Sequence, residues 1–179
     1  MNPGDVKQVL YSEESIARTV RQMAYRINED YKGKELVTVC VLKGACIFLT
    51  DLVRQLDLDV VMEFMVVSSY GSSAKSSGVV RIKKDLEQDI SGKDVLVVED
   101  IMDTGLTLKY LKKNLESRHP NSVEAAVLLR KDLGEEPAIM PKYVGMVCPN
   151  EFVVGYGLDY NERYRNLPYI GILDEKVYS

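Results

Sequence analysis

A short central stretch of the chain holds most of the side chains that could do chemistry. It reads VLVVEDIMDTGLTL, and its polar and small members are Glu99, Asp100, Asp103, Thr104, Gly105 and Thr107. The aliphatic run before the acids predicts a strand buried on both faces, and the apolar spacing after the glycine predicts an amphipathic helix. A strand, an acidic corner, a hydroxyl-rich loop and a helix together indicate a site for a phosphorylated ligand that carries hydroxyl groups.

The polar residues of this stretch suit two kinds of ligand atom. Backbone N–H groups from Asp103 to Thr107, the threonine hydroxyls and the dipole of the following helix favour a phosphate monoester. Gly105 allows close approach because it has no Cβ. Glu99 and Asp100 would repel a phosphate, so they suit sugar hydroxyls and Mg²⁺. Asp103 is near enough to both groups to act as a general base.

Two further polar groups follow predicted strands. The strand Leu36 to Leu42 leads into Lys43-Gly44, and the strand Val123 to Leu129 leads into Arg130-Lys131. Alternating strands and helices predict a parallel sheet, in which ligands bind outside the carboxyl ends of the strands. We therefore expect these groups to lie close to the central stretch. A lysine-glycine pair can bind an anion there, although a plain turn with an exposed lysine has the same sequence.

Apolar spacing predicts the elements that carry these residues. One helix begins after Ser12, a favourable N-cap, and runs to about Tyr31, and a second helix follows Ala45. Further strands are predicted at Val60 to Val67, Val79 to Ile82, Val144 to Val147, Phe152 to Tyr156 and Tyr169 to Leu173. With no internal repeat and no second core in the pattern, residues 1–179 are predicted to form one domain.

Small residues dominate the tract 68–78, with one aromatic, Tyr70, near its start. Such a tract could be a flexible linker. Inside a compact α/β domain, a loop of this length more often closes over a site. Composition alone does not distinguish a flexible linker from a loop that closes over a site.

Composition narrows the class of protein. The chain has 179 residues, 46% of them hydrophobic, and its 23 basic and 27 acidic residues give a net charge of −4. This balance disfavours nucleic acid as a partner. We expect a cytoplasmic protein without a membrane partner, because neither a signal peptide nor a membrane-length apolar run is present. Cys40, Cys46 and Cys148 stand among apolar residues, which predicts buried, reduced thiols.

The central stretch resembles the phosphoribosyl diphosphate (PRPP) signature of type I phosphoribosyltransferases. The segment FVVGYGLDYNE from Phe152 to Glu162, with Arg165, is similar to the hypoxanthine-guanine branch of that family. Other similar segments are Leu42 to Ala45, Ser69-Tyr70 and Leu128 to Lys131. The resemblance runs from about Gln8 to Leu173. It implies an α/β fold of the type I phosphoribosyltransferase kind, with a mainly parallel central sheet flanked by helices.

The same resemblance implies a small hood lobe made from N-terminal and C-terminal segments, with elements at about 140–175, and a flexible active-site loop at about 69–80. Ser69 and Tyr70 would take part in closing that loop. It also implies a cis peptide between Lys43 and Gly44. Ala45 and Leu106 depart from the family pattern, because many relatives have a second glycine at the first position and some have lysine or asparagine at the second.

The resemblance further implies a role for each site residue. Residues that would bind ribose and the 5′-phosphate are Glu99, Asp100, Asp103, Thr104, Gly105, Leu106 and Thr107. Those that would bind pyrophosphate are Lys43, Gly44 and Arg165. Residues of the purine site would be Lys131, Phe152, Val153 and Asp159, and those that would hold Mg²⁺ are Glu99, Asp100 and Asp159. Asp103 would be the catalytic base at N7 of the purine, and Lys131 would donate to O6.

The implied activity is purine salvage, in which PRPP and hypoxanthine or guanine give IMP or GMP and pyrophosphate. The family also leads us to expect a homodimer or homotetramer. Lys131 disfavours adenine, because an ammonium group cannot accept from an amino group. Xanthine remains an alternative base. A second alternative is a non-catalytic regulator of the same fold that senses PRPP, although its expected basic face is not visible in the sequence.

Overall fold

The computed structural model describes residues 4–69 and 80–178, and its centre is a six-stranded sheet. The strands of this sheet are β2 (Glu35–Leu42), β3 (Asp59–Ser69), β4 (Val80–Lys84), β5 (Asp94–Met102), β6 (Ser122–Lys131) and β7 (Tyr143–Cys148). Their order across the sheet is β4-β3-β2-β5-β6-β7. All neighbours are parallel except β3 and β4, which are antiparallel. The predicted mainly parallel sheet is thus confirmed.

In the part of the chain that the structure describes, three α-helices cover the two faces of this sheet: α1 (Glu13–Asp30), α2 (Cys46–Val53) and α3 (Leu106–Glu116). Ser12 caps α1 as predicted, because its hydroxyl accepts a hydrogen bond from the N–H of Ser15. Successive side chains of a strand point to opposite faces of the sheet. Because helices pack on both faces, the central strands are buried on both sides. Leu36 and Leu96 pack in the cluster that contains α1 and α2, whereas Val37 and Val95 pack with α3.

A second, smaller sheet joins the two ends of the chain. It consists of β1 (Val6–Tyr11), β9 (Ile170–Leu173) and β8 (Val153–Val154), in the order β1-β9-β8, and both pairings are antiparallel. We call it the hood sheet. It matches the expected lobe of N-terminal and C-terminal segments. The chain then ends in a short 3₁₀ turn at Glu175–Val177.

Several local predictions need correction. The central strand β5 continues through both acids to Met102, because β6 pairs with it as far as Met102 opposite Arg130. The strand expected at Phe152 to Tyr156 has only two residues, since the chain turns at Gly155, where φ is +99°. Cys46 is exposed rather than buried, because it opens α2 on the side facing away from the core.

Among the described residues, no helix combines the length and the apolar character that crossing a membrane requires.

Candidate active site

The loop between β5 and α3, which the sequence predicts to bind a phosphate, turns sharply at the start of the helix. Gly105 precedes the helix with φ +78°, a conformation that side chains rarely adopt. A Cβ there would lie 3.2 Å from the carbonyl oxygen of Ile139, so the site is also crowded. The N–H of Ala138 donates to the carbonyl of Thr104 at 2.8 Å. The segment after β6 therefore supports this loop, while Asp103 and Thr104 remain exposed.

Glu99 and Asp100 lie on strand β5 and not in a solvated turn. Glu99 is buried, and burial, with the neighbouring Asp100 carboxylate, holds its pKa well above the usual range. Burial likewise raises the pKa of Asp100 to about 6, although the N–H of Ile101 donates to its Oδ1 at 2.8 Å. Two carboxylates that are costly to ionise side by side form a place where a cation is favoured.

Gly44 lies directly against Asp100. A Cβ on Gly44 would be 1.7 Å from Oδ2 of Asp100, so only glycine fits there. On its other side, a Cβ on Gly157 would be 2.0 Å from the carbonyl oxygen of Gly44. The Lys43-Gly44 turn is thus held between the central sheet and the segment that follows β8. The cis peptide of this turn joins Leu42 to Lys43, which corrects the expected position by one bond. The motif alone identified the turn but not which of its peptides is cis.

Two cations lie at this turn, Lys43 within it and Arg165 beside it, and both are paired with carboxylates. The Nζ of Lys43 donates to Oε2 of Glu162 at 2.8 Å. The guanidinium of Arg165 contacts Oδ1 of Asp159 at 2.9 Å, Oε2 of Glu162 at 3.4 Å and the carbonyl of Gly157 at 2.7 Å. The buried Nε of Arg165 has no hydrogen-bond partner among the described residues.

A cavity of about 210 Å³ lies beside these groups. Its lining residues are Asp100, Ile101, Asp103, Lys131, Phe152, Val153, Leu158 and Asp159. Lys131 reaches over it with its Nζ 3.5 Å from Oδ1 of Asp103. Phe152 presents an exposed ring that also meets Tyr160 edge-on, with 5.6 Å between the ring centroids. One wall is therefore aromatic, and the opposite polar groups comprise an acid and an ammonium group.

Most of the predicted site residues lie together at this edge of the sheet. The phosphate loop, the Lys43-Gly44 turn, Lys131 and the Phe152-to-Arg165 segment converge, as their positions after parallel strands predicted. Ser69 ends β3 at the same edge, while Tyr70 and the expected loop at about 69–80 lie almost wholly outside the described residues.

The sequence predicts no role for three residues at the site, namely Tyr156, Asp51 and Glu162. Tyr156 donates to Oδ2 of Asp51 at 2.7 Å and so joins the segment after β8 to α2. Glu162 pairs with two cations. The glycines on both sides of Tyr156 were a signal in the sequence, whereas Asp51 looks like any acid on a helix.

The donor set suits Mg²⁺ bound together with a substrate. No group of three or more metal-ligating side chains is clustered in the described part of the chain. Mg²⁺ is usually held by one or two carboxylates with substrate phosphates and water supplying the rest, so a dedicated cage is not required. Asp100 and Asp159 line one cavity, and the charge of Asp159 adds to the burial that raises the pKa of Asp100. A divalent cation would lower the cost of ionising Asp100.

The fold and this site define a transferase of phosphoribosyl groups. Residues 7–161 match the model of the phosphoribosyl transferase domain, and the chain belongs to that family. The names of its relatives come from one branch of that family. A protein named hypoxanthine-guanine phosphoribosyltransferase from Mycobacterium avium is 52% identical over 183 residues, which cover 99% of this chain and 90% of the relative. The crystal structure of a hypoxanthine phosphoribosyltransferase from Staphylococcus aureus superposes with a TM-score of 0.94 at 48% identity, covering 98% and 96% of the two chains.

A third relative has a different organisation. The bifunctional protein TilS/HprT of Listeria innocua is 50% identical over 98% of this chain, but the match covers only 27% of that longer protein. The same unit thus also exists as part of a larger chain.

Proposed function

We propose that this protein is a purine salvage enzyme that transfers the 5-phosphoribosyl group of PRPP to N9 of hypoxanthine or guanine. The observation that carries the proposal is the cavity lined by Asp103, Lys131 and Phe152, whose lining also includes Asp100, the residue against which Gly44 packs. Chemically suited residues are present there for each of three substrate groups: the base, the sugar phosphate and the pyrophosphate. The resemblance and the named relatives support the same assignment.

The purine would lie on Phe152, with the backbone of Val153 at its edge. Lys131 would donate to the exocyclic O6, which hypoxanthine and guanine share. The 5′-phosphate would occupy the loop from Asp103 to Thr107, where free N–H groups at the start of α3 favour an anion. Lys43, Gly44 and Arg165 would bind the pyrophosphate group.

In the reaction, the bond from C1′ to pyrophosphate breaks and the bond from N9 to C1′ forms. Positive charge develops on C1′, and the electron pair leaves with pyrophosphate. Lys43 and Arg165 would stabilise the negative charge on the leaving group. Asp103 would accept the proton from N7 as N9 attacks. Glu99 and Asp100 would hold the ribose hydroxyls and an associated Mg²⁺, and Asp159 would hold a second Mg²⁺ carried by pyrophosphate. The metal would supply positive charge that stabilises the leaving group.

We also propose that residues 1–179 act as one cytoplasmic domain, assembled as a homodimer or homotetramer. Its partners would be small molecules, namely PRPP and the two bases, and neither nucleic acid nor a membrane. The net charge of −4 supports the exclusion of nucleic acid. The loop at about 69–80, with Ser69 and Tyr70, would close over the site and exclude water.

A panel of bases tests the proposal. The full chain is incubated with PRPP, Mg²⁺ and one of hypoxanthine, guanine, xanthine, adenine, uracil or orotate, and pyrophosphate release is measured. We expect turnover with hypoxanthine or guanine and none with adenine. Turnover with xanthine alone would transfer the assignment to that base. No base-dependent release, combined with a nucleic-acid mobility shift at physiological salt, would favour the PRPP-sensing regulator.

A further inference from the structure

Glu162 occupies an unusual position in a tight turn beside the pyrophosphate cations. Tyr160 and Arg163 exchange two backbone hydrogen bonds, of 3.2 and 3.0 Å, and so close a two-residue turn. The central residues Asn161 and Glu162 both have positive φ, of 50° and 61°. Turns of this type favour asparagine followed by glycine. Glutamate at the second position is therefore strained, and strain of this kind often accompanies a functional role.

The turn directs the Glu162 carboxylate onto the two cations assigned to pyrophosphate. One oxygen, Oε2, accepts from Lys43 Nζ at 2.8 Å and lies 3.4 Å from Nη2 of Arg165. The backbone N–H of Glu162 donates to Oδ2 of Asp159 at 2.9 Å, which orients the turn.

We propose that Glu162 is a built-in competitor for the pyrophosphate group: its carboxylate holds the Lys43 and Arg165 cations in the ligand-free protein and must be displaced by pyrophosphate. The inference rests on the proposed function. A single oxygen that bridges an ammonium and a guanidinium imitates one oxygen of a diphosphate. Glu162 thereby sets how tightly the pyrophosphate end of PRPP, and free pyrophosphate as product, are bound.

Displacement is feasible because the pair is open to water. The side chains of Lys43 and Glu162 are 65% and 63% exposed, and exposed ion pairs contribute little stability. Lys43 and Arg165 would exchange one anion for another and would not be left unpaired. Glu162 weakens pyrophosphate binding only by the free energy of its own contacts, so we expect a modest effect.

Binding of inorganic pyrophosphate in the presence of Mg²⁺, measured by calorimetry, tests this role. Glu162→Gln removes the charge and keeps the shape, and Glu162→Gly also relieves the positive φ. Both variants should bind pyrophosphate about 2- to 5-fold more tightly than the parent protein, as the loss of an exposed competing pair predicts. The KM for PRPP should fall in the same proportion, and Glu162→Gly should be at least as heat-stable as the parent.

The matched control is Glu29→Gln, which makes the same change in net charge. Glu29 is an exposed residue near the C-terminal end of α1, at the edge of the sheet opposite the site. It should leave the pyrophosphate affinity unchanged. Unchanged or weaker binding in both Glu162 variants would overturn the proposal, because weaker binding would mean that Glu162 supports the cations instead of competing for them.

The outcome is separable from that of the proposed function. If the parent protein forms nucleotide from PRPP and a base but the Glu162 variants bind pyrophosphate no more tightly, only the competitor role fails. If the parent protein neither binds pyrophosphate nor consumes PRPP, the proposed function fails with it.

Discussion

Asp103 opens the loop before α3, and its Oδ1 lies 3.5 Å from Nζ of Lys131. Among the described acids that line the cavity beside this lysine, Asp103 is the exposed one. An acid in this position can accept a proton from the base while the lysine holds O6. Glu99 is less suited to that role because it is buried and does not line the cavity, and the Asp100 carboxylate packs against Gly44. Environment therefore separates three acids of similar sequence context into one suited to act as a base and two suited to hold a cation.

Replacing Asp103 by asparagine tests the role of the base. The amide side chain would keep the size of the carboxylate and the backbone of the phosphate loop but could not accept the N7 proton. We expect kcat to fall about 10²- to 10⁴-fold, the usual contribution of a general base, while PRPP affinity is largely retained. Asp132→Asn, the same change in an exposed acid just beyond β6, is the control and should leave kcat unchanged. Normal kcat in Asp103→Asn would remove Asp103 from the mechanism.

Glu99 offers a test of stability against pH. Its folded pKa is raised, so ionising it destabilises the folded state as the pH rises above the unfolded value. Glu99→Gln should therefore raise the Tm of the ligand-free protein at about pH 8, by about 2–4 °C for each kcal/mol gained in a chain of this size. At about pH 4 the parent carboxyl is protonated and the gain should vanish. Thermal unfolding with and without Mg²⁺ and PRPP measures it. A gain that does not depend on pH would show that charge is not the cause.

At the scale of elements, the hydroxyl of Tyr156 joins the segment after β8 to helix α2. It donates to Asp51 at 2.7 Å, and burial followed by this hydrogen bond raises the pKa of Tyr156, which keeps the donor protonated. Gly157, the next residue, contacts Gly44 and accepts from Arg165. The link thus fixes the position of one wall of the proposed pyrophosphate site relative to the other.

Tyr156→Phe removes this donor and leaves an acceptor without its partner. We expect a loss of stability of about 1–3 kcal/mol and weaker binding of pyrophosphate, because the Gly157 contact loses its anchor. Asp51→Asn keeps an acceptor and should lose less. Thermal unfolding and calorimetric titration of both single variants and the double variant give the coupling between the residues. Tyr25→Phe, at an exposed tyrosine of α1, is the control. Additive losses in the double variant would show that the two side chains act independently.

At the scale of the whole molecule, the elements that the sequence predicts correctly are those with strong local patterns. The Ser12 cap and the spacing of Ile16, Val20 and Ile27 predicted α1 to within about one residue. The aliphatic runs predicted β2 and β5, because strands buried on both faces need apolar residues at every position. The order of polar groups after these strands then predicted the edge at which the site lies.

Other features depend on contacts that leave no local pattern. Strand β1 was missed because most of its residues are exposed or half-buried, and only its pairing with β9 makes it a strand. Spacing along the chain does not report that Gly44 lies against Asp100 or that Glu162 reaches Lys43, 119 residues away in sequence. Burial of Glu99 was equally hidden, since an acid after a strand is more often solvated.

The pairing of β1 with β9 also has a consequence for synthesis of the protein. Val6 lies opposite Leu173 in the hood sheet, so β1 is synthesised well before the strand with which it pairs and must wait for it. The central sheet can assemble earlier, because its strands are made in sequence from β2 to β7. A nascent chain would therefore carry a folded core with an unfinished hood sheet. Activity is expected only after β9 has cleared the exit tunnel, and a stalled chain would be folded in its core but catalytically silent.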